Sequence, residues 1–537
     1  MKRFIKDLKV FLYYKNPFYD YFLEKKSFDE ISFKPQSLWT GNTENGNRII
    51  DGFLSFNGES VKLKNIIWEN NKASKNWNIK LHNFEWINDV KAVGTNKARI
   101  FLRKNIREWL KVYGKWDHFY WSLDIISKRI YFLLSNLSFF YSTADDQFQK
   151  DFSKSMNKQS NHLMKIIGED NKKTDRLYIA KAVIISALCF KNLENKLNFG
   201  VNLLMEILSK EILDDGMHYL RSPSTHFLFL RSLIDIKAFL GTSKKPIPRE
   251  LNEKIQMMCA ILKFFKITNN ELAIFNKFHF IEESQLNEVI KRSNSKIKIP
   301  TSLSTSSFER ISDNRLIFIM DCGDPTKQKT HAGSLSFEFS HSNEKIVVNS
   351  GSPFVNDRNL NEAMRSTAAH STVNIDDVNS SDIFYDEDTT TRIAKVWSQT
   401  LKQGNNYWIN SAHSGYKGIF GIIHNRKIHI DTENLIIRGQ DYFSKPVKTY
   451  NNIPKRINIR FHIHPDIKLS VTTSKKKVVL KLKNNLGWEF ICSEPKVEIC
   501  QGIYLGSKNK IQKNNHILIS QNMIPDKKIK WLFRLIK

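Results

Sequence analysis

The hydrophobic period of this chain changes near residue 300, and that change constrains the fold more than any other feature. From about Lys97 to Ile290 apolar residues recur at helical spacing, as in Arg176 to Phe190, where Leu177, Ala180, Ile184 and Leu188 share one face. Gly114, Gly168, the Gly200 turn, Gly216 and the Lys244-Lys245-Pro246-Ile247-Pro248 break are the expected helix stops. Past a polar stretch containing Pro300 the period becomes two. Leu335-Ser-Phe337-Glu-Phe339 alternates apolar and polar, and Glu344 to Val348 follows after a turn. Tyr407 to Ala412, Asn434 to Arg438 and Val478 to Leu482 read as further short strands. Helices followed by strands predict an α+β multidomain chain, because each pattern has to bury its own face.

Lys and Arg outnumber Asp and Glu by 83 to 54, a net charge of +29. Such an excess suits polyanionic partners, whether nucleic acid, anionic membrane or acidic polysaccharide, through one long-range attraction. The basic residues are mostly scattered lysines, with short runs such as Lys475-Lys476-Lys477. No basic helix or aromatic-basic motif of nucleic-acid binders is found, so nucleic acid is not an expected partner. The cysteines, Cys189, Cys259, Cys322, Cys492 and Cys500, are odd in number and lack CxxC spacing, which predicts packed thiols. Between Met1 and Asp20 charged residues recur every few positions, so no apolar signal-peptide core is visible. On that ground alone the expected compartment is cytoplasmic, and no transmembrane segment is expected.

Five motifs occur in order along the chain: Trp77-Asn-Ile-Lys-Leu81-His82-Asn-Phe84; Asp215-Gly216-Met-His218-Tyr219-Leu-Arg221-Ser222-Pro223-Ser-Thr225-His226; His331-Ala-Gly-Ser-Leu335-Ser-Phe337; Arg365-Ser-Thr-Ala-Ala-His370-Ser-Thr-Val373; and His413-Ser-Gly415-Tyr416 with His424-Asn-Arg426. Together they resemble the heparinase II/III-like polysaccharide lyase family, particularly its bacterial branch associated with surface polysaccharides. The resemblance implies an N-terminal extension over residues 1–90, an (α/α) toroid like that of alginate and chondroitin AC lyases over 91–296, and a linker over 297–307. An antiparallel β-sandwich-like domain over 308–537 follows, with an acidic-sugar groove between the toroid and the β-domain. It also implies a setting in the cell envelope or periplasm.

Lyases of this kind cleave next to a uronic acid by β-elimination. Donors must neutralise the carboxylate, a base must take the α-proton, and an acid must return one to the leaving oxygen. The resemblance points to Tyr219, His226, Lys329 and Tyr416 for the acid and base roles, and to His162, His218, Arg221 and Arg365 for substrate binding. It places a mixed nitrogen and oxygen metal set, suited to zinc, at His331, Asn349 and His370.

Several positions depart from the family pattern. Spacing aligns Thr174-Asp175, 41 residues before Asp215, with the family's carboxylate-binding Asn-His pair. Asn161-His162 lies 54 residues before Asp215 and reads as a chance dipeptide. Thr225 stands where the family has its proton-donating Tyr, Lys329 where it has a catalytic His, and Gly333 and Asn349 where it has Asp. Two functions follow as expectations: a β-eliminating lyase acting on a uronate polysaccharide, or a catalytically impaired relative that binds acidic glycan.

Overall fold

The computed structural model describes Tyr14, Trp68 and residues 17–25, 30–56, 58–63, 73–169, 175–326, 331–355, 357–383, 392–444, 452–508, 510–524 and 526–536. The chain forms two compact units, Met1–Lys210 with Ser232–Glu253, and Glu211–Arg231 with Lys254–Lys537.

Helices dominate the first unit, and its only sheet among the described residues is the hairpin of β1 (Phe53–Phe56) and β2 (Glu59–Lys62). Helix starts follow capping chemistry. The Thr95 side chain accepts from Ala98 N ahead of helix Asn96–Tyr113, and Asp145 accepts from Phe148 N ahead of Asp146–Ile166. Gly114 ends the first of these, as its sequence position predicts.

Helix Arg176–Cys189 starts where the period predicts, but it is buried on nearly every face. The reason is that it packs centrally against Leu123–Leu134 and Asp146–Ile166. Its Lys181 is therefore neutralised internally, with Nζ 3.5 Å from Asp235, 3.2 Å from Ser232 Oγ and 3.7 Å from the Tyr131 ring centre. Gly200 is not a stop. It lies inside helix Leu197–Glu211, and a Cβ there would come within 2.9 Å of the Val183 and Ile184 side chains, so the glycine allows close helix approach.

The second unit carries the two large sheets. One sheet contains β3 (Ser302–Leu303), β4 (Phe308–Ser312), β5 (Leu316–Asp321), β6 (Phe337–His341), β7 (Glu344–Val348), β8 (Val373–Ile375), β13 (Arg456–Ile463), β17 (Glu498–Ser507) and β18 (Lys510–Asn522). The other has β9 (Val396–Gln403), β10 (Asn406–His413), β11 (His424–Asp431), β12 (Ile436–Phe443), β14 (Lys468–Val471), β15 (Lys477–Lys481), β16 (Gly487–Cys492) and β19 (Ile529–Leu535). Its spatial order is β14-β15-β16-β19-β12-β11-β10-β9, and every pairing is antiparallel. The strand expected from Asn434 starts two residues later, because Asn434 is tied into a turn by Asp431 and Leu435 has φ 54°.

The inner faces of the two sheets share one core. Phe337 stacks on Trp531 at 5.6 Å between ring centres, and Phe339 packs on Trp488 at 5.3 Å. Gly439 on β12 faces the Trp531 indole so closely that a Cβ would lie 2.1 Å from it. Gly439→Ala is expected to destabilise the protein by about 1–3 kcal/mol through overpacking. Urea unfolding of the full chain checks this, and an unmoved midpoint would contradict it.

Candidate functional site

The turn that opens helix Pro223–Thr242 is built around Gly216, whose φ of +90° admits the tight reversal. Asp215 locks it: Oδ1 accepts from Met217 N at 3.0 Å, and Oδ2 accepts from Thr305 N, Ser306 N and Ser306 Oγ at 3.1, 2.6 and 2.8 Å. This reversal brings His218, Tyr219, Arg221 and His226 together. His226 is fully buried, its Nε2–H donates to Met258 O at 2.8 Å, and its Nδ1 accepts from His218 N at 3.3 Å. Burial lowers its pKa to about 4, so the ring is neutral and both nitrogens are spent on backbone. His218 accepts from Leu220 N through Nδ1, and its Nε2 lies 3.4 Å from Glu211.

Arg221 is similarly committed. It donates to Ser306 O at 2.8 Å and Asp324 O at 3.0 Å, pairs with buried Asp321, and lies over the Phe308 ring at 4.6 Å. Gly323 makes room for this guanidinium, since a Cβ there would sit 2.4 Å from it. Tyr219 is half-buried beside the His218 ring, and burial followed by the Glu211 charge raises its pKa.

In the β-domain, Lys329 lies outside the described residues. His331 and His370 do meet, with His331 Nδ1 3.2 Å from His370 Nε2. His370 Nδ1–H donates to Ser366 O at 2.8 Å, so its Nε2 accepts the His331 proton. Burial lowers both pKa values, that of His370 to about 4. Asn349 sits nearby and is held at both ends of its amide: Nδ2 donates to Ile274 O at 3.0 Å, and Oδ1 accepts from Ser371 N at 3.0 Å. Gly333 leaves space that the His370 ring fills, 2.6 Å from where a Cβ would lie.

Of the expected zinc set, His331 Nδ1 and His370 Nε2 converge, but the oxygen position is held by the neutral Asn349 amide, which bonds Ile274 O and Ser371 N, so the set lacks an anionic oxygen donor. Among the described residues no cluster of three His, Cys, Asp or Glu could hold a metal. Arg365 ends helix Arg358–Arg365, and its carbonyl accepts from Ala332 N at 2.8 Å.

Tyr416 is a buried strut that donates to Val373 O at 2.9 Å, and burial raises its pKa. Its neighbours form a directional chain. Gly415 N–H donates to His413 Nδ1 at 3.1 Å, His413 Nε2–H donates to His424 Nδ1 at 3.0 Å, and His424 Nε2–H donates to Asp441 at 2.8 Å. Arg426 grips the same carboxylate through two nitrogens, at 2.7 and 3.1 Å, and Trp531 Nε1 donates to it at 2.9 Å. Burial opposes the charged Asp441, yet Arg426 and His424 outweigh it and hold the group well below the usual carboxylate range.

Asp441 was missed in the sequence. Its signal is a carboxylate at an inward position of β12, directly opposite Arg426 in register. Glu338 was missed too: its oxygens accept from Asn349 N and Ile274 N at 2.7 and 3.0 Å, and burial raises its pKa to about 7.

His162 belongs to the first unit, inside helix Asp146–Ile166. The Tyr19 hydroxyl donates to its Nδ1 at 2.6 Å, and its Nε2 lies 3.3 Å from Trp121 O. Asp175 caps helix Arg176–Cys189 by accepting from Tyr178 N, whereas Thr174 lies outside the described residues.

A helical unit joined to a doubly layered antiparallel β-domain is the fold of heparinase III, whose crystal structure superposes with a TM-score of 0.74 at 14% identity, covering 98% of this chain and 91% of that one. Heparan sulfate lyase HepC from Pedobacter heparinus superposes with a TM-score of 0.64 at 14% identity, covering 96% and 87%. Residues 298–532 match the family described as heparinase II/III-like, C-terminal. It is also similar to FtsZ-localized protein C of Caulobacter vibrioides, at 23% identity over 93% of this chain and 89% of that protein.

The buried histidines make stability depend on pH. His226, His464 and His516 are held to about 4 in the folded state by burial, against about 6.5 when unfolded. Below about pH 6.5 the unfolded chain binds the extra protons, so stability falls progressively toward pH 4. Thermal unfolding at constant ionic strength should show Tm dropping across that window, and a flat profile would contradict it.

Proposed function

We propose that this chain is a catalytically impaired heparinase II/III-like protein that binds a uronate-containing glycan at the cell envelope. The observation that carries this reading is the internal use of the groups that elimination would need. His226 spends both nitrogens on backbone, Tyr416 donates to Val373 O from a fully buried position, and Asn349 is locked between two backbone groups. A general base must reach the substrate proton with a lone pair available, and a buried ring bonded at both nitrogens cannot do so. Thr225 at the place of the family's acid has a hydroxyl far less acidic than a phenol. Similarity to a protein named for its localisation with FtsZ favours an assembly role connected with surface polysaccharide over digestion of an external one.

The alternative, turnover by a rearranged set, draws support from Tyr219, the one candidate phenol in the turn that is only half-buried. Incubation with heparin, alginate and polygalacturonate, followed by ultraviolet absorbance of the unsaturated product, separates the two. The expected result is no product above the protein-free control, with glycan binding retained. Product formation that Tyr219→Phe abolishes would overturn the non-catalytic reading.

A further inference from the structure

The solvent face of the second sheet carries a feature that no catalytic motif explains. Along β10, β11 and β12, Ile409, His413, Ile428, Arg426 and Asp441 point into the core, so the intervening residues point outward. Register then places three outward rows side by side. Leu401, Trp408, His429 and Arg438 form one row across β9 to β12. Gln399, Asn410, Lys427 and Gln440 form the next and continue to Lys530 on β19. Trp397, Ala412, Asn425 and Tyr442 form the third.

Trp397 is 53% exposed and Leu401 52% exposed, large values for such side chains. Trp408 is half-buried and held in place: His429 packs on it at 5.1 Å between ring centres, and His429 itself lies 2.8 Å from Asn406 Oδ1 and 3.4 Å from Arg438 Nη1. Lys427, Arg438 and Lys530 are exposed, and the three rows contain no carboxylate. Of the acidic residues of these strands, Asp441 faces the core, and Asp431 points outward one row beyond His429 at the turn end of β11, where its Oδ1 accepts from Glu433 N and Asn434 N. Across five strands the face spans roughly 19 Å.

We propose that this outward face, built on Trp397, Trp408, Gln399, Asn410, Lys427 and Lys530, is a docking platform for an acidic polysaccharide strand. The assignment rests on the glycan-binding reading above and gives it a location. Flat indole faces suit the apolar C–H faces of sugar rings. Gln and Asn each offer a donor and an acceptor, which matches hydroxyl groups. Three cations in rows that contain no carboxylate supply charge complementarity to uronate, and their exposure makes the attraction sensitive to salt.

The test is affinity of the full chain for alginate and heparin oligosaccharides, with a neutral β-glucan and single-stranded DNA as comparators. Variants are Trp397→Ala with Trp408→Ala, and Lys427→Glu. Lys468→Glu with Lys481→Glu, on β14 and β15 at the far end of the sheet, serves as the control, and circular dichroism confirms folding. Lys427 is exposed, so its variant keeps the test informative if the tryptophan pair misfolds.

Wild type is expected to bind the acidic glycans more tightly than the neutral one, with roughly tenfold weakening in each platform variant and none in the control. If wild type binds acidic glycan and the platform variants bind equally well, this location is overturned while the glycan-binding reading stands. Wild type that binds no acidic glycan sinks both. Preferential DNA binding lost in the same variants, or self-association through edge strand β9 lost in Trp397→Ala, would overturn the glycan assignment.

Discussion

The β-domain depends on one buried ion pair. Arg426 and Asp441 sit opposite each other on adjacent strands with no solvent exposure. Arg426 also donates to Leu335 O at 2.9 Å and Ser371 O at 3.1 Å, backbone groups that lead into strands of the facing sheet. One guanidinium thus ties both layers together. A buried charge without its partner costs about 3–5 kcal/mol, so everything around this pair is arranged to keep it satisfied. Trp531 and the chain through His424 and His413 complete the donors to the carboxylate, and all of these groups lie in the shared core.

That constraint gives a different meaning to motifs that read as catalytic. The His-x-Gly-Tyr and His-x-Arg segments converge on this network, and Tyr416 closes the same region by bonding Val373 O. Around residues 215–226 the logic repeats. Asp215, Arg221 and His226 hold a tight reversal by bonding backbone, and Arg221 lies in a pocket that Gly323 keeps open. Side chains that serve chemistry need a free lone pair or proton at a surface, whereas these spend theirs on structure. Departures from the family pattern fit this: with glycine at 333 the His370 ring moves into the space a larger side chain would take, and neutral Asn349 bridges two backbone groups.

Much of the architecture was legible. Period three-point-six against period two separated helices from strands, and β7, β10 and β15 lie close to the ranges read from the sequence; β10 and β15 bury one face, whereas β7 is buried on both. Gly200 failed as a stop because a missing side chain has two uses, turning the backbone or admitting a neighbouring helix, and only packing reveals which. Lys181 is a charge on a helix that turns out to be central, and it pairs there with Asp235, a partner that no helical period reveals. The candidate site was legible as a set of residues: the turn does gather His218, Tyr219, Arg221 and His226, and His331 does meet His370.

What the sequence by itself determined is the class of each segment and the resemblance to one family, since hydrophobic period and motif order are local or collinear properties. Only the tertiary structure decided which polar groups are spent and which are presented. Hydrogen-bond partners such as Met258 for His226, or Val373 for Tyr416, lie far along the chain, and the pairing of Trp408 with His429 and of Asn410 with Lys427 on one outward face depends on strand register. Burial and register arise when distant segments meet, and they determine whether a histidine, a tyrosine or a tryptophan faces the core or the solvent.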